Sequence, residues 1–388
     1  MENKQKIGVV TGTRADYGLL YYLLRELEAD DRLELQLLVT GMHLSSEFGL
    51  TFRQIEEDGF RIDAKVEMLL SSDSPAGIAK SMGLGMIGFG DALAMLKPDL
   101  LVVLGDRYEM FAAAQAAMVA GIPLAHIAGG DTTEGAYDEA IRHSLTKMAH
   151  LHFVTNEVAA KRVRQMGENP AHVYNVGSPG IDYIKRMRLL TRREIEEQIG
   201  FKLCSRNLLI TFHPVTLEAG SAVRQLDALF EACERLGPDV GLIFTKANAD
   251  NDGRKINEAL ERFAQNRPNA AVYASLGQQR YLSVMAISSA VVGNSSSGLY
   301  EAPSFGVPTV NIGDRQRGRL AAASVISCLP EADAIERAIQ EALARDCSDT
   351  INPYGDGNAA PRICRVIGDT VDYRTLLKKT FRDMEETK

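Results

Sequence analysis

Short runs of aliphatic and β-branched residues alternate with longer amphipathic segments along the whole chain. This alternation predicts parallel strands that are connected by helices packed around the sheet. A charged segment over residues 185–198 predicts a connecting helix between an N-terminal and a C-terminal series of strands. The predicted strands are residues 7–10, 33–39, 100–104, 124–127, 151–154 and 173–176 in the first series, and residues 208–212, 241–244, 271–273, 290–292 and 309–312 in the second.

The length of 388 residues exceeds what one hydrophobic core usually supports, so two domains are expected. Both series of strands predict the same class, α/β, with two Rossmann-like doubly wound domains joined near residues 178–205. In such sheets ligands bind at the carboxyl ends of the strands. Polar residues that directly follow a predicted strand are therefore the candidates for function.

Composition and charge narrow the functional classes. Hydrophobic residues make up 45% and charged residues 24% of the chain, which is typical of a soluble globular protein. The formal net charge of -8 argues against nucleic acid as the main partner, although a few arginines can still bind a small phosphate ligand. The 5 cysteines are scattered, without metal-ligand spacing, and no apolar run reaches membrane-spanning length. We therefore expect a cytoplasmic protein without a metal site or a membrane partner.

One glycine-rich segment matches a cofactor-binding motif in sequence but not in its predicted structural context. Residues 83–88 read Gly-Leu-Gly-Met-Ile-Gly, the dinucleotide fingerprint, but they lie inside a predicted helix over residues 76–96 instead of directly after a strand. Close helix packing explains these small residues better. No nicotinamide or other cofactor is expected.

Two strand ends in the first half carry an arginine next to a carboxylate. Arg14 follows the first predicted strand and is either a phosphate-binding residue or one half of a surface ion pair with Asp16. Asp106 and Arg107 follow the strand that ends at residue 104, and they are either a neutralised pair or functional. The functional interpretation, which we favour, makes Asp106 an acid/base or substrate-orienting group and Arg107 a contact to an anion or sugar.

A second group of titratable residues follows the strand that ends at residue 127. Asp131 closes a loop with two glycines, and helical spacing then places Asp138 beside Arg142 and Glu139 beside His143. Either pair alone is usually a solvated helix face, but near Asp131 several such groups can converge on one site. Removing a proton from a sugar carbon requires a positioned base and a conjugate acid, which paired carboxylates with a histidine can supply.

The second half carries fewer charged candidates. His213 follows a strand and is either a structural histidine or a donor to a diphosphate, while Asn248 lies in a polar turn after the next strand. A serine turn, residues 295–297, precedes a helix predicted over residues 298–305, where its hydroxyls and amides would stabilise a phosphate. The simpler interpretation is an ordinary serine N-cap. Glu301, one turn further, is placed to bind neighbouring hydroxyls of a sugar.

Together these segments resemble the UDP-N-acetylglucosamine 2-epimerase family, and most closely its hydrolysing branch, which serves the synthesis of sialic and related nonulosonic acids. Non-hydrolysing members differ by a proline soon after the first arginine and by a threonine at the position of Arg107. The matching segments run in order through nearly the whole chain: residues 12–17, 105–107, 129–131, 141–143, 146–148, 213–216, 293–298 and 354–358.

The resemblance implies a GT-B-like fold and a reaction in two steps. Residues 1–185 would form the N-terminal catalytic domain, completed by a C-terminal helix over residues 368–388, and residues 186–367 would form the UDP-binding domain. Loss of UDP with removal of the C2 hydrogen would give a 2-acetamidoglucal, to which water adds to release the 2-epimeric sugar. From UDP-N-acetylglucosamine the products would be N-acetylmannosamine and UDP. A homodimer is also implied.

Carried over by position, the resemblance assigns roles to individual residues. The expected catalytic residues are Asp106, Asp131, Asp138 and His143, and the expected UDP-sugar contacts are Arg14, Arg107, Arg142, His213, Asn248, Ser295, Ser296, Glu301 and Arg315. Many family members have a glutamate where this chain has Ala128, and Asp131 is our candidate to replace that carboxylate. The alternatives are the same reaction on UDP-2,4-diacetamido-2,4,6-trideoxyglucose for legionaminic acid, a non-hydrolysing epimerase, a GT-B glycosyltransferase, and a non-catalytic UDP-sugar sensor.

Overall fold

A computed structural model describes residues 4–70, 74–132, 138–213, 221–246 and 253–383. In these residues the strands are β1 (Gln5–Thr11), β2 (Leu33–Thr40), β3 (Ala64–Val66), β4 (Leu100–Leu104), β5 (Leu124–Ile127), β6 (Leu151–Val154), β7 (Val173–Asn175), β8 (Arg206–Thr211), β9 (Val240–Thr245), β10 (Ala270–Tyr273), β11 (Ala290–Gly293), β12 (Thr309–Ile312) and β13 (Val325–Cys328). Every strand that the sequence pattern predicts is present. Two short edge strands, β3 and β13, were missed because each mixes apolar and polar residues and is only partly buried, so neither forms an apolar run.

The helices connect successive strands. They are α1 (Arg14–Ala29), α2 (Phe52–Glu57), α3 (Pro75–Leu96), α4 (Tyr108–Val119), α5 (Asp138–Met148), α6 (Glu157–Gln165), α7 (Pro179–Arg186), α8 (Arg192–Ile199), α9 (Ser221–Arg235), α10 (Gly253–Ala264), α11 (Gly277–Ile287), α12 (Ser297–Tyr300), α13 (Ala332–Ala344) and α14 (Ala359–Asp369). Short 3-10 helices cover Gly41–Leu44, Pro170–His172, Ala302–Phe305 and Tyr373–Leu377. Among the described helices, none combines the length and the apolar composition that crossing a membrane requires.

Within the described residues the strands form two parallel sheets. The first has the order β3-β2-β1-β4-β5-β6-β7 and the second the order β10-β9-β8-β11-β12-β13. The strand order reverses between β1 and β4 in the first sheet and between β8 and β11 in the second, which is the doubly wound arrangement. The predicted fold class, α/β with two doubly wound sheets, is confirmed.

The first sheet is buried on both faces. Val9 and Val102 point to a core that includes helices α1 and α14. The neighbouring residues Val10 and Val103 point to the opposite core, which includes α3 and α4, because successive side chains of a strand alternate between faces. In the second sheet, β8 and β11 pack in one core with α9, α10 and α13. Central strands of this kind consist of nearly continuous apolar residues, which is why the sequence pattern detected them.

The chain divides into two compact units, Met1–Tyr183 with Tyr354–Lys388, and Ile184–Pro353. The C-terminal part of the chain thus returns to the first unit, as expected, but it returns from residue 354, and the bounds 368–388 expected for the returning helix are wrong. The returning helix is α14, whose buried face packs against α1. The first unit also caps this helix, because the Asp182 carboxylate accepts hydrogen bonds from the amides of Ala359 at 2.9 Å and Ala360 at 2.7 Å.

The connecting helix predicted over residues 185–198 is two helices, α7 and α8. Thr191 starts the second with a capping box, in which its side chain accepts from the Glu194 amide and Glu194 bonds back to the Thr191 amide at 2.8 Å. The glycine string of residues 83–88 lies inside α3, as predicted. A Cβ atom on Gly85 would stand 2.7 Å from Met68, and one on Gly88 2.7 Å from Val66, so these glycines serve close packing.

Candidate functional site

The reversal of strand order in the first sheet places two arginine-bearing turns side by side. Strand β1 leads into Thr13, which caps α1 by accepting a hydrogen bond from the Asp16 amide at 3.2 Å. Arg14 is the first residue of α1 and is exposed. Arg107 follows β4 and is the N-cap residue of α4. Both arginines thus lie at the carboxyl edge of neighbouring strands, where a doubly wound sheet binds its ligand.

Arg107 pairs with a carboxylate that sequence reasoning missed. Its Nη2 and Nε atoms donate to Oε1 and Oε2 of Glu109 at 2.8 and 3.2 Å, and Glu109 is fully buried. Asp16 is also buried, so it is not the partner in a surface ion pair that the sequence allowed for Arg14. Burial raises the pKa of Asp16 to about 6, although the charge of Arg107 opposes that shift. The two-residue spacing of Arg107 and Glu109 was the only available signal for this pair.

Arg142 holds the second group of titratable residues together. This buried guanidinium donates to the Asp106 carboxylate, to the backbone oxygen of Asp131 at 2.9 Å and to Glu139 Oε2 at 3.3 Å. Asp106 is thus bound to Arg142, so the alternative of a neutralised pair with Arg107 is wrong. Glu139 Oε1 also accepts from His143 Nε2 at 3.0 Å, as the helical spacing predicted. A carboxylate, a guanidinium and a histidine are therefore linked along one side of α5.

Asp138 and Asp131 both have a raised pKa, with burial as the main cause. Asp138 begins α5, where the nearby charge of Asp106 adds to the effect of burial. The Asp131 carboxylate is bound on both oxygens, by Thr155 Oγ1 at 3.1 Å and by Asn156 Nδ2 at 3.3 Å. Both donors directly follow β6, so Asp131 lies between the ends of β5 and β6. These bonds also give Asp131 a structural role at the start of α6.

The Ala128 backbone has an unusual conformation. Its φ is +63°, a region that residues other than glycine seldom adopt, and its amide donates to the Phe153 oxygen at 2.9 Å. Two residues earlier, the His126 side chain is buried and bonds through Nε2 to the Gly105 oxygen at 2.7 Å. Burial lowers the pKa of His126 to about 4, so this histidine is neutral at pH 7. The end of β5 is therefore hydrogen-bonded to β6 through Ala128 and to the turn after β4 through His126.

The reversal of strand order in the second sheet brings His213 next to Asn294. The His213 amide donates to Asn294 Oδ1 at 2.7 Å, and Asn294 Nδ2 donates to the His213 oxygen at 2.8 Å. Arg315 and Gln316 then donate to the Asn294 backbone oxygen at 3.1 and 2.8 Å. The expected residues His213 and Arg315 thus meet at one strand end. Asn248 lies outside the described residues.

The serine turn is built differently from the expected helix start. Helix α12 has four residues and is followed by a 3-10 helix, so one helix over residues 298–305 is wrong. Pro303 lacks the amide that a continuing helix would need. Ser296 is the N-cap residue but makes no side-chain cap, while Ser295 Oγ accepts from the Ser297 hydroxyl at 3.2 Å. Ser295 Oγ also accepts from the Ser297 amide at 3.4 Å, so a serine side chain does bind the start of the helix, although the N-cap residue Ser296 does not.

Two further side chains line the serine turn. The Tyr281 hydroxyl bonds to Ser297 Oγ at 2.6 Å, and burial raises the pKa of Tyr281 to about 12. Burial also raises the pKa of Glu301 to about 7. Among the described residues, no side chain donates a hydrogen bond to the Glu301 carboxylate, which leaves its oxygens available to hydroxyl donors. Tyr281 was missed because an amphipathic helix gives no sign of which tyrosine reaches a polar turn.

Comparison with known proteins assigns this arrangement to one group of enzymes. A family described as UDP-N-acetylglucosamine 2-epimerase matches residues 25–368. The chain is 41% identical over 385 residues to the GDP/UDP-N,N'-diacetylbacillosamine 2-epimerase (hydrolyzing) of Campylobacter jejuni, with 98% of this chain and 100% of that protein covered. It is 38% identical over 386 residues to the polysialic acid biosynthesis protein P7 of Escherichia coli, with 98% of each chain covered. A UDP-N,N'-diacetylbacillosamine 2-epimerase (hydrolyzing) of Legionella pneumophila is 34% identical over 375 residues, which are 97% of this chain and 98% of that protein.

Solved structures agree on the fold. The UDP-GlcNAc 2-epimerase from Neisseria meningitidis bound to UDP-GlcNAc superposes with a TM-score of 0.77 at 20% identity, covering 94% of this chain and 99% of that one. The UDP-GlcNAc 2-epimerase from Methanocaldococcus jannaschii gives a TM-score of 0.77 at 17% identity, with the same coverage of 94% and 99%. At these identities the likeness shows the shared GT-B-like architecture of two parallel α/β sheets.

Proposed function

The chain belongs to the UDP-N-acetylglucosamine 2-epimerase family, and on that premise we propose that it is a hydrolysing 2-epimerase of a UDP-linked 2-acetamido sugar. The observation that carries the proposal is the group around Arg142, where Asp106, Glu139 and His143 are linked at the carboxyl edge of the first sheet. Asp131 and Asp138, whose pKa is raised mainly by burial, lie next to this group. Carboxylates beside a histidine suit proton transfer to and from carbon. The high similarity to enzymes described as hydrolyzing supports the choice of branch.

In the first step, the C2 hydrogen leaves as a proton to a carboxylate base while the bond from C1 to the UDP oxygen breaks. The electron pair of that bond leaves with UDP, and a C1–C2 double bond forms. In the second step, water bonds through its oxygen to C1 and gives up a proton to a carboxylate base, and C2 accepts a proton on the face opposite to the one that lost its hydrogen. The free sugar is then the 2-epimer of the starting sugar.

The proposed roles follow the chemistry of the side chains. Asp106, Asp131, Asp138 and His143 transfer protons or orient the sugar, and Arg142 fixes Asp106 and contacts the substrate. Negative charge that develops on UDP would be stabilised by positioned donors. The proposed donors and ribose contacts are Arg14, Arg107, His213, Asn248, Ser295, Ser296, Glu301 and Arg315.

Two substrates are proposed in order. UDP-N-acetylglucosamine is the first, because its 2-acetamido group suffices for the glucal intermediate. UDP-2,4-diacetamido-2,4,6-trideoxyglucose is the second, because two of the similar proteins are described as N,N'-diacetylbacillosamine 2-epimerases. Ala128, in place of a glutamate, supports a substrate that differs from that of most family members.

The test is incubation with each UDP-sugar in heavy water, followed by NMR. We expect UDP, a free 2-epimeric sugar and one deuterium at C2, with the larger kcat/KM identifying the substrate. A 2-epimeric UDP-sugar that keeps its nucleotide would instead indicate a non-hydrolysing epimerase. Binding without turnover of either sugar would reject the enzymatic proposal and indicate a sensor.

We also propose a homodimer, as the family resemblance implies. The outer face of α3 supports this proposal, because Leu84 and Ile87 are 42% and 67% exposed there and Met95 is 67% exposed. Exposed apolar patches commonly mark protein interfaces. A patch of this kind can pair with itself across a two-fold axis.

A further inference from the structure

A buried ion cluster joins the last described residues of the chain to the end of α5. At its centre is Glu168, whose side chain is 1% exposed. Its carboxylate accepts from Lys147 Nζ at 2.6 Å, from Lys379 Nζ at 2.6 Å and from His152 Nε2 at 3.0 Å. Burial alone would raise the pKa of Glu168, but these three hydrogen bonds lower it to about 2. The carboxylate is therefore charged, and its two lysine partners balance it.

Lys379 caps the C-terminal end of α5. Besides Glu168, its ammonium donates to the backbone oxygens of Lys147 at 2.8 Å and Ala149 at 2.6 Å. An ammonium has three N–H donors, so all three are used. The last carbonyls of a helix lack partners within the helix and carry partial negative charge, which a cation stabilises.

The backbone and the ring of Phe381 fix the same segment. The Arg382 amide donates to the Gly167 oxygen at 2.9 Å. A Cβ atom on Gly167 would stand 2.5 Å from the Phe381 ring, so only a glycine allows this contact. The Lys147 ammonium lies 5.0 Å from the centre of the same ring, within range of a cation–π interaction.

We propose that residues 378–383, named here the C-terminal strap, hold α5 in its working position, with Lys379 as the positioning residue. The inference rests on the proposed function, because α5 carries Asp138, Arg142 and His143 at its other turns. Lys147, which the cluster binds, lies one turn after His143. When the C-terminal end of a helix is held, the side chains along that helix keep fixed positions. Misplacement of reacting groups by about 1 Å can lower a rate on the order of 100-fold.

The experiment compares three full-length variants. Lys379→Met removes the cap, Lys378→Met removes the same charge from the adjacent exposed lysine as the matched control, and Lys379→Arg restores a cation. For each we would measure kcat and KM for the UDP-sugar, the Kd for UDP, the unfolding midpoint, and amide hydrogen exchange of α5. We expect Lys379→Met to lower kcat about tenfold and to accelerate α5 exchange about tenfold, because it frees the helix end.

Lys379→Met should bind UDP with a Kd within about twofold of the wild-type value. The kcat, KM and Kd of Lys378→Met should also stay within about twofold of wild type, and Lys379→Arg should recover most of kcat. If Lys379→Met kept the kcat and the α5 exchange rate of the wild-type protein, the proposal would be overturned. Equal losses of kcat, UDP affinity and the unfolding midpoint would also overturn it, because these would indicate general destabilisation. If the wild-type chain turns over no UDP-sugar, the proposed function fails, and α5 exchange alone decides whether Lys379 holds the helix.

Discussion

Asp131 and Glu301 differ in what surrounds their carboxylates. Asp131 is bound by two donors, Thr155 and Asn156, whereas no described side chain donates a hydrogen bond to Glu301. Burial is the leading cause of the raised pKa in both residues. A buried carboxylate without a donor destabilises the fold when it is charged, unless a ligand supplies hydroxyl groups. The two residues therefore call for different tests.

At Asp131 the change to test is Asp131→Asn. An amide keeps the shape and can still accept from Thr155 Oγ1, but it cannot take up a proton. We expect turnover to fall by about 100-fold or more, within the range for loss of an acid/base group, while the Kd for UDP stays unchanged. Thr155→Val is the matched control, because it removes the hydrogen bond from Thr155 Oγ1 and leaves the Asp131 carboxylate in place. Near-normal turnover in Asp131→Asn would remove Asp131 from the mechanism.

At Glu301 the test is Glu301→Gln, measured at two pH values. The pKa is raised from 4.5 to about 7, so the folded state holds the proton more tightly than the unfolded state. The stabilisation that this tighter proton binding supplies is fully present below pH 4.5 and is lost as the pH rises through 7. At pH 8 we expect Glu301→Gln to be more stable than wild type, by up to about 3 kcal/mol.

At pH 4.5 that difference in stability should largely disappear. The same variant should bind UDP more weakly, by about tenfold, because an amide oxygen accepts less strongly from hydroxyls than a carboxylate. Thermal unfolding at both pH values and titration calorimetry with UDP check the two effects. Equal stability of the two proteins at pH 8 would show that the carboxylate is not held in a desolvated state.

At the scale of elements, both sheets place their candidate residues where the strand order reverses. The turn after β11 depends on Gly293, whose φ is +134° and whose substituted Cβ would stand 2.0 Å from the Thr211 oxygen. No side chain fits there, because the obstacle is backbone of the neighbouring strand. The close approach of β8 and β11 lets Asn294 reach the backbone of His213.

Gly293→Ala should therefore destabilise the second unit strongly. We expect a loss of about 3 kcal/mol or more in the free energy of unfolding, together with weaker UDP binding. Gly18→Ala is the control, since Gly18 lies inside α1 and a Cβ atom added there would have no heavy atom within 4 Å. In the control we expect a gain of up to about 1 kcal/mol from helix propensity. Denaturant unfolding distinguishes the two variants, and equal stability would contradict the close approach.

At the scale of the whole molecule, the exposed apolar residues are unevenly distributed. Leu84, Met86, Ile87 and Met95 all lie on α3, and Met118 and Val119 at the end of the adjacent α4 are also exposed. Leu84, Ile87 and Met95 recur on one side of α3, and exposed apolar side chains that cluster in this way commonly mark a protein interface. This distribution is the structural support for the proposed homodimer.

The corresponding test is Ile87→Asp. A charge in the centre of an apolar interface is costly to desolvate, so we expect the dimer to dissociate at micromolar concentration. Ile351→Asp is the matched control, because Ile351 is 85% exposed in the second unit, away from α3 in the sequence. Light scattering after size exclusion gives the mass of each species. A monomeric wild type, or an unaffected Ile87→Asp dimer, would contradict this interface.

The strands, the fold class and most strand-end residues could be predicted from the sequence, because the hydrophobic period and the strand-to-helix turns are local properties. Arg14, Asp106, Arg107 and His213 lie at the strand ends where the pattern placed them. The pair of Glu139 and His143 was also predictable, since helical spacing alone brings them together.

Tertiary structure decided which charges pair and where the chain returns. Arg142 binds Asp106, 36 residues away, a partner that helical spacing cannot predict. Lys379 binds Glu168 through a segment that no local period marks. Such contacts depend on strand order and on burial, which set both the partner and the pKa of each group. The sequence by itself therefore determined the elements and the chemical types at their ends, while the fold determined which of those groups meet.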